Sequence, residues 1–332
     1  MTPDSIREMA IKMKVDIIIP TYKPDDTFCL LLQKLREQTF VVHRLIIMNT
    51  EAALWENAKQ KYPIDARLAD LPCEFEIHHV SREEFDHGKT RYQGAQFSQA
   101  DVVLFMTQDA VPADANLIAQ LTRSLDSTED GDGTVAVAYA RQLPREDCHV
   151  VERYTRAFNY PDESRKKTKA DIDTLGIKTF FCSDVCAAYR RDLFEKLGGF
   201  ESPVIFNEDM FFAANAIMHG YAVEYVAEAN VVHSHNYSAR QQFHRNFDLA
   251  VSQTMHPEIF EQISSEAEGM KLVKSTVKYL CRIHKPYYIW HLGWQCVGKY
   301  AGYLLGKRYR RLGKKQILAC TMSPDYWKKI WK

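Results

Sequence analysis

At 332 residues, 46% apolar and 26% charged, the chain has an ordinary globular composition and room for one large domain plus a smaller appendage. Its eight cysteines form no C-x-x-C pair, which excludes a zinc ribbon or thioredoxin-like site and fits a reducing compartment. The net charge of zero hides an asymmetry: residues 271–332 hold fifteen Lys and Arg against one acid, Asp325, giving +14, and residues 1–270 carry −14.

The N-terminus, polar and mixed in charge, has no apolar run to read as a signal peptide, so a cytoplasmic protein is expected. Residues 15–20 are β-branched and stop at Pro20, which predicts a buried strand ending in a loop. Apolar residues at helical spacing follow over 28–38, then a strand at 44–48 that ends in Asn49, Thr50 and Glu51. A third strand is predicted around 75–80, a helix over 90–99, and a fourth strand over 101–106 that runs into Thr107, Gln108 and Asp109. This alternation predicts an α/β fold with a parallel sheet covered on both faces. Ligands of such sheets lie beyond the carboxyl ends of the strands, where the polar clusters at 20–25, 49–51 and 107–109 fall. Further on, a helix to residue 127, a turn at 129–133 and a strand at 134–140 are expected. The charged stretch 159–176 reads as a mobile loop near the site, and 180–189 as extended. A short helix over 190–197 stops at Gly198 and Gly199, another begins near Glu208 and closes at Gly220, and two strands follow at 221–226 and 230–232.

Three groups of residues carry chemistry. Asp109, at a strand end, is placed to hold a hard cation against a diphosphate, or else to cap the next helix. Glu208 and Asp209 at a helix start would be held ionised by the helix dipole, as a general base must be, or again simply cap it. His233 and His235 have the spacing that puts two imidazoles on one face of an extended segment, either as metal ligands or as structural histidines. His87, Lys89 and Arg91 form a basic group that could meet phosphate or lie solvated on a loop.

Together these residues resemble family 2 glycosyltransferases of the GT-A fold over residues 14–248. Ile19-Pro20-Thr21-Tyr22 looks like the first strand and nucleotide loop. Phe85 to Gly88, Thr90, Arg91 and Gly94, followed by Thr107-Gln108-Asp109-Ala110, are similar to the bacterial rhamnosyltransferase branch. Gly198-Gly199-Phe200 and Asn207-Glu208-Asp209 resemble the acceptor-side glycines and the E-D motif. The resemblance implies a Rossmann-like, mostly parallel GT-A sheet over residues 14–250, after an N-terminal extension of residues 1–13 and before a helical, basic region at 251–332. It implies that Asp109 holds Mg²⁺ or Mn²⁺ on the donor diphosphate, with His233 or His235 completing the site. Asp209, beside Glu208, would be the general base. Pro20, Thr21, Tyr22, Asn49, Glu51, Arg91 and Gln108 would line the nucleotide. The implied reaction is inverting transfer from dTDP-β-L-rhamnose to a lipid-linked saccharide. A UDP-hexose or UDP-N-acetylhexosamine donor, or a non-catalytic scaffold that binds nucleotide sugar or glycolipid, are the competing readings. Thr107 stands where relatives carry the first Asp of D-x-D, and Asn49 where an acid reads the pyrimidine. Asn246 replaces the tryptophan in Gln242 to Asn246, which otherwise resembles the Q-x-x-R-W signature of processive synthases.

The tail completes the reading. Residues 286–306 are its most apolar stretch, but His291, Gln295 and Lys299 interrupt it, so an interfacial helix is expected rather than a spanning one. With the bases that follow, this predicts peripheral attachment to an anionic membrane surface, on the inner face of the cell membrane. Packing onto the catalytic domain or a homodimer interface would use the same aromatic residues. A nucleic-acid partner is not expected, because residues 1–270 contain no reading module.

Overall fold

The structure is a computed structural model that describes residues 13–126, 133–260 and 266–332; the expected N-terminal extension and the turn at 129–133 fall largely outside them. The chain divides into two compact units, one reaching to Leu143 and including Tyr160–Ser202 and Glu208–His233, the other formed by Pro144–Asn159, Pro203–Asn207 and Ser234–Lys332.

Among the described residues, the first unit is built on a nine-stranded sheet. Its strands are β1 (Val15–Thr21), β2 (Arg44–Thr50), β3 (Glu74–Val80), β4 (Val102–Met106), β5 (Val111–Pro112), β6 (Val135–Leu143), β7 (Arg165–Lys167), β8 (Cys186–Arg190) and β9 (Ala222–Val232). The order is β3-β2-β1-β4-β8-β6-β9-β5, with β7 on β9. The first four strands are mutually parallel, as are β6 and β9, while β8 runs antiparallel between β4 and β6. Strands β1, β2 and β4 are buried on both faces, which is why they read as largely apolar runs, while the edge strand β3 is partly exposed. Val15, Ile17 and Ile19 pack with Phe28, Leu31 and Leu35 of the helix Asp26–Arg36. On the other face the helix His87–Phe97 comes so close that a Cβ on Gly94 would lie 2.6 Å from Ile18. That close approach sets the depth at which Arg91, one turn earlier, enters the fold.

Several expectations need correction. The predicted loop 159–176 contains β7, which pairs with β9, and short helical turns around Lys169–Asp171 and Ile172–Leu175. Its charge pattern misleads because the Lys167 ammonium is buried, donating to the Tyr139 hydroxyl and to the carbonyls of Lys178 and Phe181. Of the expected extended stretch 180–189, only the part from Cys186 is strand, preceded by a 3₁₀ turn at Gly176–Phe180. The two strands expected at 221–226 and 230–232 are one, β9, whose register with β6 shifts opposite Ala140 and Arg141.

In the second unit the helix Ala239–Met255 is continuous across residue 250, the expected domain boundary, and starts in a capping box of Ser238 and Gln241. It packs along the helix Tyr288–Gly306, while Phe247, Val251, Ile317 and Trp327 form a separate small core. Arg245 of the synthase-like motif lies over the rings of Phe206 and Tyr237, at 4.6 and 5.7 Å.

Candidate active site

The polar clusters at the strand ends are neighbours, because β1 and β2 are in register with Thr21 beside Asn49. The Thr21 hydroxyl donates to Asn49 Oδ1 at 3.1 Å, and Asn49 Nδ2 donates to the Glu51 carbonyl at 3.2 Å and lies 2.9 Å from His79 Nδ1. Both side chains are buried and bonded within the fold, so they shape the loop from beneath; they hold Glu51 in left-handed backbone at φ 69°. From β4, Gln108 reaches across to the first loop: its Oε1 accepts from Tyr22 N at 2.9 Å and its Nε2 donates to Tyr22 O at 3.0 Å. Tyr22 itself is exposed, beside Pro20 and Thr21 at the mouth.

Arg91, which the resemblance puts at the nucleotide, is buried in the fold. The side chain of Asp86 caps its helix, so Arg91 falls one turn in and points inward, whereas His87 and Lys89 stay exposed. Buried, it pairs with Glu208 Oε1 at 3.0 Å and faces Asp184 Oδ2 from 3.5 Å. The burial works against its charge, but the carboxylates of Glu208, Asp184 and Asp209 outweigh that and hold it protonated.

The carboxylates around it are therefore crowded. Asp209 Oδ2 accepts from Asp184 N at 3.0 Å and Oδ1 from its neighbour Met210 N at 2.7 Å, which aims the carboxylate. Part of its surface stays open, yet desolvation and then the charge of Glu208 push its pKa up to about 7, against those hydrogen bonds and Arg91. Asp184 is raised well above the usual carboxylate range by burial and by Asp209; its Oδ1 accepts from the Tyr189 hydroxyl at 2.6 Å. Arg91 Nε and Asp184 Oδ2 face each other as an ion pair but make no hydrogen bond, so the cluster is only partly satisfied. An aromatic layer of Phe105, Tyr189, Phe194, Phe200 and Phe212, with ring centroids 4.9 to 6.2 Å apart, fixes the helix Glu208–Met218 that carries the acids. Gly199 closes that layer at φ 67°, where a Cβ would meet the Tyr92 ring at 2.3 Å.

Asp109 and His233 do meet, with His233 Nε2 3.5 Å from Asp109 Oδ2. The other ring nitrogen of His233 lies 3.1 Å from Gln142 Oε1, and the Gln142 amide nitrogen donates to Tyr160 at 2.6 Å and Ser183 at 2.9 Å. A histidine oriented by an outer partner, with its other nitrogen facing a carboxylate, is a donor set that suits a divalent cation. His235 follows two residues on, its ring 5.1 Å from that of Tyr237. Thr107 has its hydroxyl buried. Asp184, Ser183 and Gln142 were not singled out in the sequence. Only Asp184 left a trace there, as an acid inside the extended stretch 180–189.

A parallel sheet with paired loops at its carboxyl ends, a carboxylate–imidazole pair and a buried acidic helix start is found together with a match of residues 16–198 to the glycosyl transferase family 2 model. The chain belongs to glycosyl transferase family 2. It is 36% identical over 96% of its length to the O-antigen chain rhamnosyltransferase RfbN of Salmonella typhimurium, of which it covers 97%. It is 39% identical over 76% of its length to the O-antigen chain rhamnosyltransferase WbaN of Salmonella anatum, covering 78% of it. Among solved structures it resembles the mannosyltransferase PcManGT from Pyrobaculum calidifontis, in complex with GDP-Man and Mn²⁺ (TM-score 0.51, 16% identity, 96% of this chain and 85% of that one). Residues 1–349 of S. aureus TarS are similar at TM-score 0.50 and 14% identity, over 90% of this chain and 91% of that one. The fold is thus the GT-A fold, and this family 2 member is a glycosyltransferase.

Proposed function

We propose that this glycosyltransferase transfers L-rhamnose from dTDP-β-L-rhamnose, with inversion, to a lipid-linked saccharide in bacterial surface-polysaccharide assembly. The observation that carries the reaction class is Asp209: a partly open carboxylate, aimed by two backbone N–H groups, with a pKa of about 7. The choice of sugar rests on the near full-length relationship to rhamnosyltransferases.

In this reading Asp209 takes the proton of the acceptor hydroxyl while that oxygen attacks the anomeric carbon. The bond from that carbon to the donor diphosphate breaks, its electron pair leaving on the nucleotide, and one displacement turns β into α. Glu208 keeps Asp209 a stronger base by its charge, and Arg91 pairs with Glu208. Asp109 and His233 would hold Mg²⁺ or Mn²⁺, with His235, one residue beyond Ser234, as a third donor. Such an ion supplies the positive charge that a departing diphosphate requires. The loops around Pro20, Thr21 and Tyr22 and around Asn49 and Glu51, joined by Gln108, would receive the nucleoside. Attachment of the basic residues 271–332 to anionic lipid would keep the enzyme at the surface where its acceptor is found.

The test is turnover of dTDP-β-L-rhamnose against UDP-glucose and UDP-N-acetylglucosamine, with Mn²⁺ or Mg²⁺ and with EDTA, beside Asp209→Asn. Rhamnose transfer or slow hydrolysis, abolished by EDTA and by the variant, is expected. Preferential turnover of a UDP-sugar would sink the donor assignment, and turnover undiminished by EDTA would sink the metal.

A further inference from the structure

We propose that Tyr287, Trp290, Trp294 and Val297 form a fixed stripe that inserts into the headgroup layer of an anionic phospholipid bilayer. The proposal rests on the peripheral attachment proposed above, which needs only the tail's charge and names no inserting face.

The four residues are 66%, 75%, 57% and 59% exposed. Their spacing of three, four and three along the helix Tyr288–Gly306 puts them on one face. The exposure is imposed by the side of the helix that packs on the helix Ala239–Met255. There Gly298, Gly302 and Gly306 recur every fourth residue, and a Cβ on each would lie 2.3, 2.1 and 2.4 Å from the carbonyl oxygens of Ala239, Phe243 and Phe247. The two helices touch backbone to backbone, which leaves the helix no freedom to roll. Gln295 donates to the Tyr237 carbonyl at 3.2 Å, and Leu292 is buried with Leu280 and Val151, so rotation is pinned at two further points. The helix cannot turn its tryptophans inward without breaking these contacts.

Exposed Trp and Tyr beside bases is the composition of a segment that lies in a membrane interface. Among the described residues no helix is long and apolar enough to cross a bilayer, which leaves lying on it as the membrane geometry for this segment. The charge of residues 271–332, fifteen bases against Asp325, complements anionic headgroups. The same charge disfavours a second copy as occupant, because a two-fold contact would set one basic tail against another.

The test is flotation of the full chain and of a Trp290→Ala, Trp294→Ala double variant. Phosphatidylethanolamine–phosphatidylglycerol vesicles are compared with phosphatidylcholine vesicles, and tryptophan emission is read with brominated lipids. The parent should float with the anionic vesicles only, with blue-shifted emission quenched by bromine; the double variant should bind about tenfold or more weakly at unchanged melting temperature. A double variant that floats like the parent would overturn the stripe and leave attachment standing. A parent that floats with neither vesicle would overturn both. A concentration-dependent dimer that the double variant abolishes, without flotation of the parent, would assign the face to a second copy.

Discussion

Replacing Gln142 by Ala isolates what orients His233. The Gln142 side chain makes three buried contacts, with the Tyr160 hydroxyl at 2.6 Å, Ser183 Oγ at 2.9 Å and His233 Nδ1 at 3.1 Å. With Nδ1–H donated to Gln142, the lone pair of Nε2 faces Asp109 across 3.5 Å. Without that acceptor the imidazole can swing or exchange its proton between nitrogens. Loss of such an outer partner weakens metal affinity about 10–100-fold, or roughly 1.4–2.8 kcal/mol. The assay is titration of free Mn²⁺ by electron paramagnetic resonance, with Asp109→Ala as the reference for a lost site. Gln142→Ala should raise the Mn²⁺ Kd by that factor. Gln142→Glu should stay within about threefold, because a carboxylate can accept from the imidazole and from both hydroxyls. Melting curves check the fold, since the stranded hydroxyls should cost about 1–3 kcal/mol. A folded Gln142→Ala chain that binds Mn²⁺ like the parent would refute the reasoning.

Because the base must be deprotonated and its pKa is about 7, kcat/KM should rise with pH up to about that value and then level. Glu208→Gln removes the like charge and should move this limb to lower pH; a limb that stays put would dissociate it from Asp209. Arg91→Met strands three carboxyls and should cost about 3–5 kcal/mol in urea unfolding. The loss should be larger at pH 8 than at pH 5: without the cation the carboxyls bind protons more tightly in the folded state, so stability falls as pH rises. Gly199→Ala combines left-handed backbone with a 2.3 Å contact to Tyr92 and should cost about 2–4 kcal/mol, against about 1 for Gly198→Ala, whose Cβ would meet nothing within 4 Å. Equal melting temperatures for the two would show that Tyr92 yields.

Strands β1, β2 and β4 were legible because burial on both faces leaves apolar runs, and the runs end in polar residues where the loops begin. Asp109 and His233 were legible as residue types at strand ends, and they do meet. Gln142 was not: its meaning lies in a contact with a residue 91 positions away, and a glutamine at the end of a strand carries no local signal. The burial of Arg91 was not legible because charge near a turn suggests a surface, while its partners Asp184 and Glu208 are far away in the chain. Lys167 misled in the same way: a run of bases suggests solvent, yet three carbonyl and hydroxyl oxygens hold its ammonium inside.

The pair of hydrogen bonds between Gln108 and the backbone of Tyr22 joins two loops. Gln108 is the residue before Asp109, so the loop after β1 and the loop after β4 are riveted together one peptide away from the carboxylate. Two segments that are 86 positions apart in the chain act as a single jaw. Whatever rests on Tyr22 is thereby gauged against Asp109 through the Gln108 side chain, at a separation that holds as long as both hydrogen bonds do.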